Sequence, residues 1–137
     1  MKRTLRWEIA VLAVCAGLAS QSVVGQQTPP TENKGVTIKP IGTLDLGPEL
    51  DGMSGRQLRL RMITLEPGGV FAVHDHKDRP AVEQIFKGSA TEFRGSANKE
   101  IREGEAVSSD RETTHWWRND GSVPAIFIVA DVFHPKP

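Results

Sequence analysis

The stretch that decides the fold is Gly68–Gly88, GGVFAVHDHKDRPAVEQIFKG. A β-prone run from Val70 to His76 follows the turn signal Glu66-Pro67-Gly68-Gly69. A charged break at Lys77–Pro80 interrupts it, and Ala81–Lys87 then resumes the β-rich character before stopping at Gly88. Such runs bounded by glycine, proline and charged residues read as strands. His74 and His76 stand two apart, so both imidazoles leave the same strand face. Same-face Cβ atoms lie about 7 Å apart, and each ring reaches inward far enough for both nitrogens to meet one ion at about 2.1 Å. Alone, an H-x-H pair is a weak signal, because two solvated histidines on a surface strand give the same pattern.

Outward from this stretch the pattern continues. Short β-rich segments run over Val36–Leu46, Gln57–Glu66, Ala90–Arg94, Glu100–Arg102, Ala106–Ser109, Thr113–Arg118 and Ala125–Phe133. No segment after Val36 carries helical periodicity with caps. Many short strands at near-regular spacing predict an all-β sandwich or barrel. Within Gln57–Glu66, Leu58, Leu60 and Met62 occupy one face and are expected in the core, with Arg59 and Arg61 on the other. The acids around these arginines cancel any basic stripe. Roughly 100 residues suffice for one modest core.

A third histidine, His115, lies in Thr113–Arg118, and in a two-sheet fold distant strands face each other across about 10 Å. The fourth, His134, reads as a solvated tail residue. With His74 and His76 inward, strict alternation turns Val70 and Ala72 inward and Phe71 and Val73 outward. Trp117 and Asn119 follow His115 inward, and Trp116 faces out. Val70, Ala72, Met62, Trp117 and Asn119 are therefore the expected pocket lining, with core packing the plainer role for Trp117. Asp78 and Arg79 fall on the loop after the histidine pair, either as solvated charges or as contacts for an anionic substrate.

These residues resemble the cupin family. Its first motif, G-x5-H-x-H-x3/4-E-x6-G, is matched by Gly68, His74, His76 and Gly88. Its second, G-x5-P-x-G-x2-H-x3-N, is matched by Gly104, His115 and Asn119, with Asp110 and Glu112 in place of the proline and glycine. The motif glutamate falls on Ala81. Glu83, two residues on and on the same face, either replaces it as a ligand or is a rim residue beside a three-histidine site; Gln84 faces the other way. The resemblance implies a double-stranded β-helix, or jelly-roll barrel. It also implies one divalent metal ion (Fe, Mn, Ni, Cu or Zn) on His74, His76 and His115, with Glu83 as a fourth candidate. It is further consistent with an oxygen-using or isomerising activity on a small organic substrate, and with a homodimer. A non-catalytic small-ligand-binding or dimerisation module is the competing reading, since a fold does not settle a function.

Composition bounds the rest. The 137 residues carry 17 Lys+Arg against 17 Asp+Glu, so no basic excess points to nucleic acid. Lys2, Arg3 and Arg6 precede the apolar run Ile9–Ala19, which is short for a membrane span of roughly 30 Å. Small polar residues follow, the form of a secretory signal peptide. Cleavage after Gly25 divides the chain into a signal peptide (1–25), a flexible leader (26–35) and a barrel domain (36–137). The mature chain is then slightly acidic, lacks Cys15 (the one cysteine), and is expected in the periplasm or secreted, free of the membrane. No G-x-S-x-G elbow, P-loop or dinucleotide fingerprint is present.

Overall fold

The computed structural model describes residues 27–135. The signal peptide, its cleavage after Gly25 and Cys15 lie outside the described residues. Eight strands follow one another: β1 (Lys34–Asp45), β2 (Gln57–Asp75), β3 (Ala81–Lys87), β4 (Ser89–Arg94), β5 (Ala97–Arg102), β6 (Ala106–Ser109), β7 (Thr114–Arg118) and β8 (Ala125–Phe133). They pair antiparallel in the order β5-β4-β7-β2-β8-β3-β6, with β1 also on β2. The sheet curls into a nearly closed barrel, the all-β fold expected from the sequence. Among the described residues no helix is long and apolar enough to cross a membrane.

β2 organises the barrel. The expected break at Glu66–Gly69 is instead a corner inside one continuous strand. Before it, residues 57–65 pair with β8; after it, residues 70–75 pair with β7. Gly69 allows the corner, because a Cβ there would stand 2.6 Å from the Glu66 carbonyl oxygen. Gly88, at φ +77°, makes a similar close approach to Pro124 between β3 and β4.

A β-bulge lies between Phe71 and His74, where the register against β7 shifts by one residue. One such slip exchanges the two faces of a strand. Its consequence overturns the expected facing of Gln57–Glu66. Arg61, Ile63 and Leu65 point inward and are buried, whereas Leu58 is exposed and Leu60 and Met62 are half-buried on the outer face. The core is built from Ile63, Leu65, Ala81, Ile85, Ala90, Ile101, Trp117, Ala125, Phe127 and Val129, with Val36, Phe71 and Val107 packed against it. Each large member contributes about 1.5–3 kcal/mol on burial, so this inner set carries most of the stabilisation.

Residues 27–33, read as part of a flexible leader, hydrogen-bond to the barrel. Val73 N donates to the Pro30 carbonyl, Ala72 N to Asn33 Oδ1, and Arg118 Nη1 to Gln27 Oε1. Two of these partners, Ala72 and Val73, are the bulge residues whose amides the β7 ladder leaves free.

Candidate metal centre

β2 delivers His74 and, just past its end, His76; β7 delivers His115, directly opposite His74 in the register. β3 delivers Glu83. Their ligand atoms converge. His115 Nε2 lies 3.1 Å from His74 Nε2 and 3.0 Å from His76 Nε2, and Glu83 Oε1 lies 3.3 Å from His76 Nε2 and 3.6 Å from His115 Nε2. His76, His115 and Glu83 are buried, and His74 is half-buried.

The other ring nitrogens settle the tautomers. His74 Nδ1 donates to the Ala72 carbonyl at 2.8 Å, and His76 Nδ1 to the Arg79 carbonyl at 2.8 Å. His115 Nδ1 donates to Glu92 Oε1 at 2.6 Å. A carbonyl or carboxylate oxygen only accepts, so each Nδ1 carries the proton and each Nε2 presents a lone pair. Burial lowers the pKa of both His74 and His76 to about 4, so both rings are neutral at pH 7. Burial also pushes the Glu83 carboxyl up, despite the nearby His115. For Glu92, burial acts upward, but hydrogen bonds from His115 and Arg94 outweigh it and hold the carboxyl below its usual range.

Three lone pairs and a carboxylate oxygen thus face one point, and Glu83 Oε1 is buried without a hydrogen-bond partner. Mutual repulsion disfavours this arrangement unless a cation sits among them. Two ligands at right angles, each about 2.1 Å from an ion, stand about 3.0 Å apart, close to the observed nitrogen spacings. The residues present therefore fit a divalent metal ion. Behind His115, Glu92 supplies the carboxylate that orients the imidazole and raises its basicity. Sequence reading missed Glu92; the available signal was an acid two residues from Ala90 in an otherwise inward-facing row.

The expected pocket lining is largely corrected. Trp117 meets His115 edge-on at 5.6 Å and Phe127 at 5.0 Å, joining the site to the core. Asn119 is fully buried but not a lining residue: its Nδ2 donates to the Leu65 and Val123 carbonyls, and its Oδ1 accepts from Gly121 N. It clasps the β7–β8 loop to the corner of β2. Val70 lines an outer cleft with Trp116 and Arg118, Met62 lies on the outer face, and Ala72 serves the site through its carbonyl. For Val70, Met62 and Ala72, all on β2, the bulge is the common reason. It places Phe71, expected outside, 4.8 Å from the His74 ring. Asp78 is an exposed loop charge paired with Arg56 at 2.8 Å, while Gln84 and His134 are exposed. A second surface cleft, between Asp45–Gln57 and His134–Pro135, like the first, touches none of the three histidines.

No protein-family model and no curated protein matches the sequence. Solved structures share its fold. KdgF from a Halomonas species aligns with a TM-score of 0.58 at 11% identity, over 77% of this chain and 87% of that one. The Cupin_2 domain of an XRE-family transcriptional regulator from Enterobacter cloacae gives 0.55 at 15%, over 75% and 100%. Oxalate oxidase in complex with the substrate analogue glycolate gives 0.55 at 21%, over 84% and 62%. The likeness establishes the fold: the chain is a cupin-type double-stranded β-helix.

Proposed function

We propose that this chain is an exported cupin-fold metalloprotein that holds one divalent ion on His74, His76, His115 and Glu83 and acts on a small organic substrate. The convergence of three Nε2 lone pairs, each ring fixed by a committed Nδ1–H, carries this reading. An ion with open coordination positions would supply Lewis acidity or oxygen activation there. The protein's part is to hold the imidazoles neutral by burial and to lock their tautomers. Glu92 increases the basicity of His115, and Glu83 Oε1, free of any hydrogen-bond partner, is available to the same ion. Phe71 and Trp117 keep the centre dry. Fe, Mn, Ni, Cu and Zn all suit nitrogen and oxygen ligands.

Metal analysis of untagged protein tests the centre. About one equivalent is expected, and less than about a tenth, unrestored by soaking in the five ions, overturns it. Glu83→Ala separates the two ligand sets, since unchanged metal affinity leaves three histidines alone. Oxygen consumption with small diketones, phenols and thiols tests for an enzyme. A second reading is a ligand-binding module without turnover. Structural neighbours include both an oxidase and a regulator domain.

Export and pairing complete the proposal. The intact mass of protein recovered from the periplasm or medium is expected to lack residues 1–25. Leu58, Val82 and Phe86 remain 42%, 53% and 60% exposed on the outer sheet face, which supports a second copy covering it. Phe86→Glu should then shift the mass by light scattering from dimer to monomer.

A further inference from the structure

At one end of the barrel, next to the histidines, three arginines surround one acid. Asp131 is fully buried and accepts from Arg59 Nε at 3.0 Å and Nη2 at 2.8 Å, and from Arg61 Nη2 at 2.8 Å; Arg79 Nε stands 3.9 Å away. As a staple between β2 and β8 the bidentate Arg59–Asp131 pair is already complete. The face of Arg59 is also fixed, 3.8 Å above the Phe133 ring. Arg61 and Arg79 are surplus to that pair and leave two positive charges beyond what Asp131 neutralises.

Arg61 is the informative member. It is 8% exposed, and its Nε is buried with no hydrogen-bond partner. An unpartnered charged donor in the interior is costly, and an anion relieves it. Glu83 also acts on Arg61, but it turns its free oxygen to His76 and His115. The two sites share a row. Arg61 pairs with Val129 and Val129 with Glu83, so Arg61 lies two strand spacings, about 10 Å, from the acid of the metal centre. The backbone of Arg79 holds His76 while its side chain faces Asp131, linking the two clusters from a third direction. Both side chains reach into this backbone separation and leave only part of it for a ligand. A planar guanidinium edge pairs bidentately with a carboxylate.

We propose that Arg61, flanked by Arg59 and Arg79, seats the carboxylate of a small organic acid whose other end lies toward the histidines. The site goes beyond the metal reading and does not depend on it, because the test uses metal-stripped protein. Propionate and its neutral isostere propionamide are titrated calorimetrically at constant ionic strength. Saturable propionate binding with none for propionamide is expected, at least tenfold weaker in Arg61→Gln and unchanged in Arg111→Gln, a surface arginine. If Arg61→Gln does not fold, as judged by circular dichroism, Arg61→Lys keeps the charge without the fork, and the same tenfold loss is expected. Equal binding of acid and amide, no binding by the folded wild type, displacement by equimolar chloride, or undiminished binding in the folded Arg61 variant overturns the proposal. A protein that binds propionate but no metal, or metal but no propionate, separates its failure from that of the metal centre.

Discussion

Between Gln57 and Leu65, β2 runs beside β8 and turns its odd-numbered residues inward, so that Arg61, Ile63 and Leu65 are buried and Leu58 is exposed. At its far end the even-numbered His74 faces the interior, followed by His76. Both arms show a clean period-two pattern, and each read separately gives a plausible facing. They conflict only when one parity is carried through, and the bulge between Phe71 and His74 reconciles them. The two arms also differ in content. One carries apolar side chains and the buried Arg61, which fill the barrel; the other carries neutral donors that converge on a point. A single extra residue lets one strand build both a core and a ligand set.

The comparison can be broken most sharply at the ligands. His115→Ala removes the nitrogen that stands 3.0 and 3.1 Å from both partners, and bound metal after dialysis should fall below about a tenth of an equivalent by elemental analysis. On the other arm, Leu65→Ala should destabilise by about 3 kcal/mol in urea denaturation, while Leu58→Ala should cost under about 0.5 kcal/mol. Similar losses at both positions would contradict the inverted facing. Glu92→Gln keeps an acceptor for His115 Nδ1 but removes the charge; metal affinity should drop about tenfold to a hundredfold by competitive chelator titration.

Acidification tests the histidine arm by itself. Buried His74 and His76 titrate near 4 when folded, below their ordinary value of 6.5. Between those values the unfolded chain binds more protons, so stability falls as the pH drops through this window. Metal-free protein should therefore melt at a lower temperature at pH 5 than at pH 7.5. The difference should shrink in a variant with both His74 and His76 replaced by Gln, and an equal slope there would remove the two rings as its source.

Much of this was legible in advance. The strand boundaries of β3, β6 and β8 follow turn residues, and the spacings of Gly68, His74, His76, Gly88, Gly104 and His115 carry the fold. Glu83 was visible as an acid of the correct parity on its own strand. Glu92 was not, because its partner His115 lies 23 residues away across the β4–β7 pairing. Nor was the arginine cluster, since Arg59 and Asp131 stand 72 residues apart. The facing of Leu58, Leu60, Met62, Val70 and Ala72 was misjudged for one cause. A bulge arises from the match between two strands, so neither strand's own sequence announces it.

The sequence by itself determined the strands, the corner glycines and the histidines able to serve as ligands, because period, turn chemistry and side-chain type are local properties. Only the tertiary structure decided which face of β2 is inside, that Glu83 meets the histidines, and that three arginines crowd one buried acid. Those outcomes depend on register, and register is a property of paired strands: a shift of one residue exchanges every side chain between solvent and core.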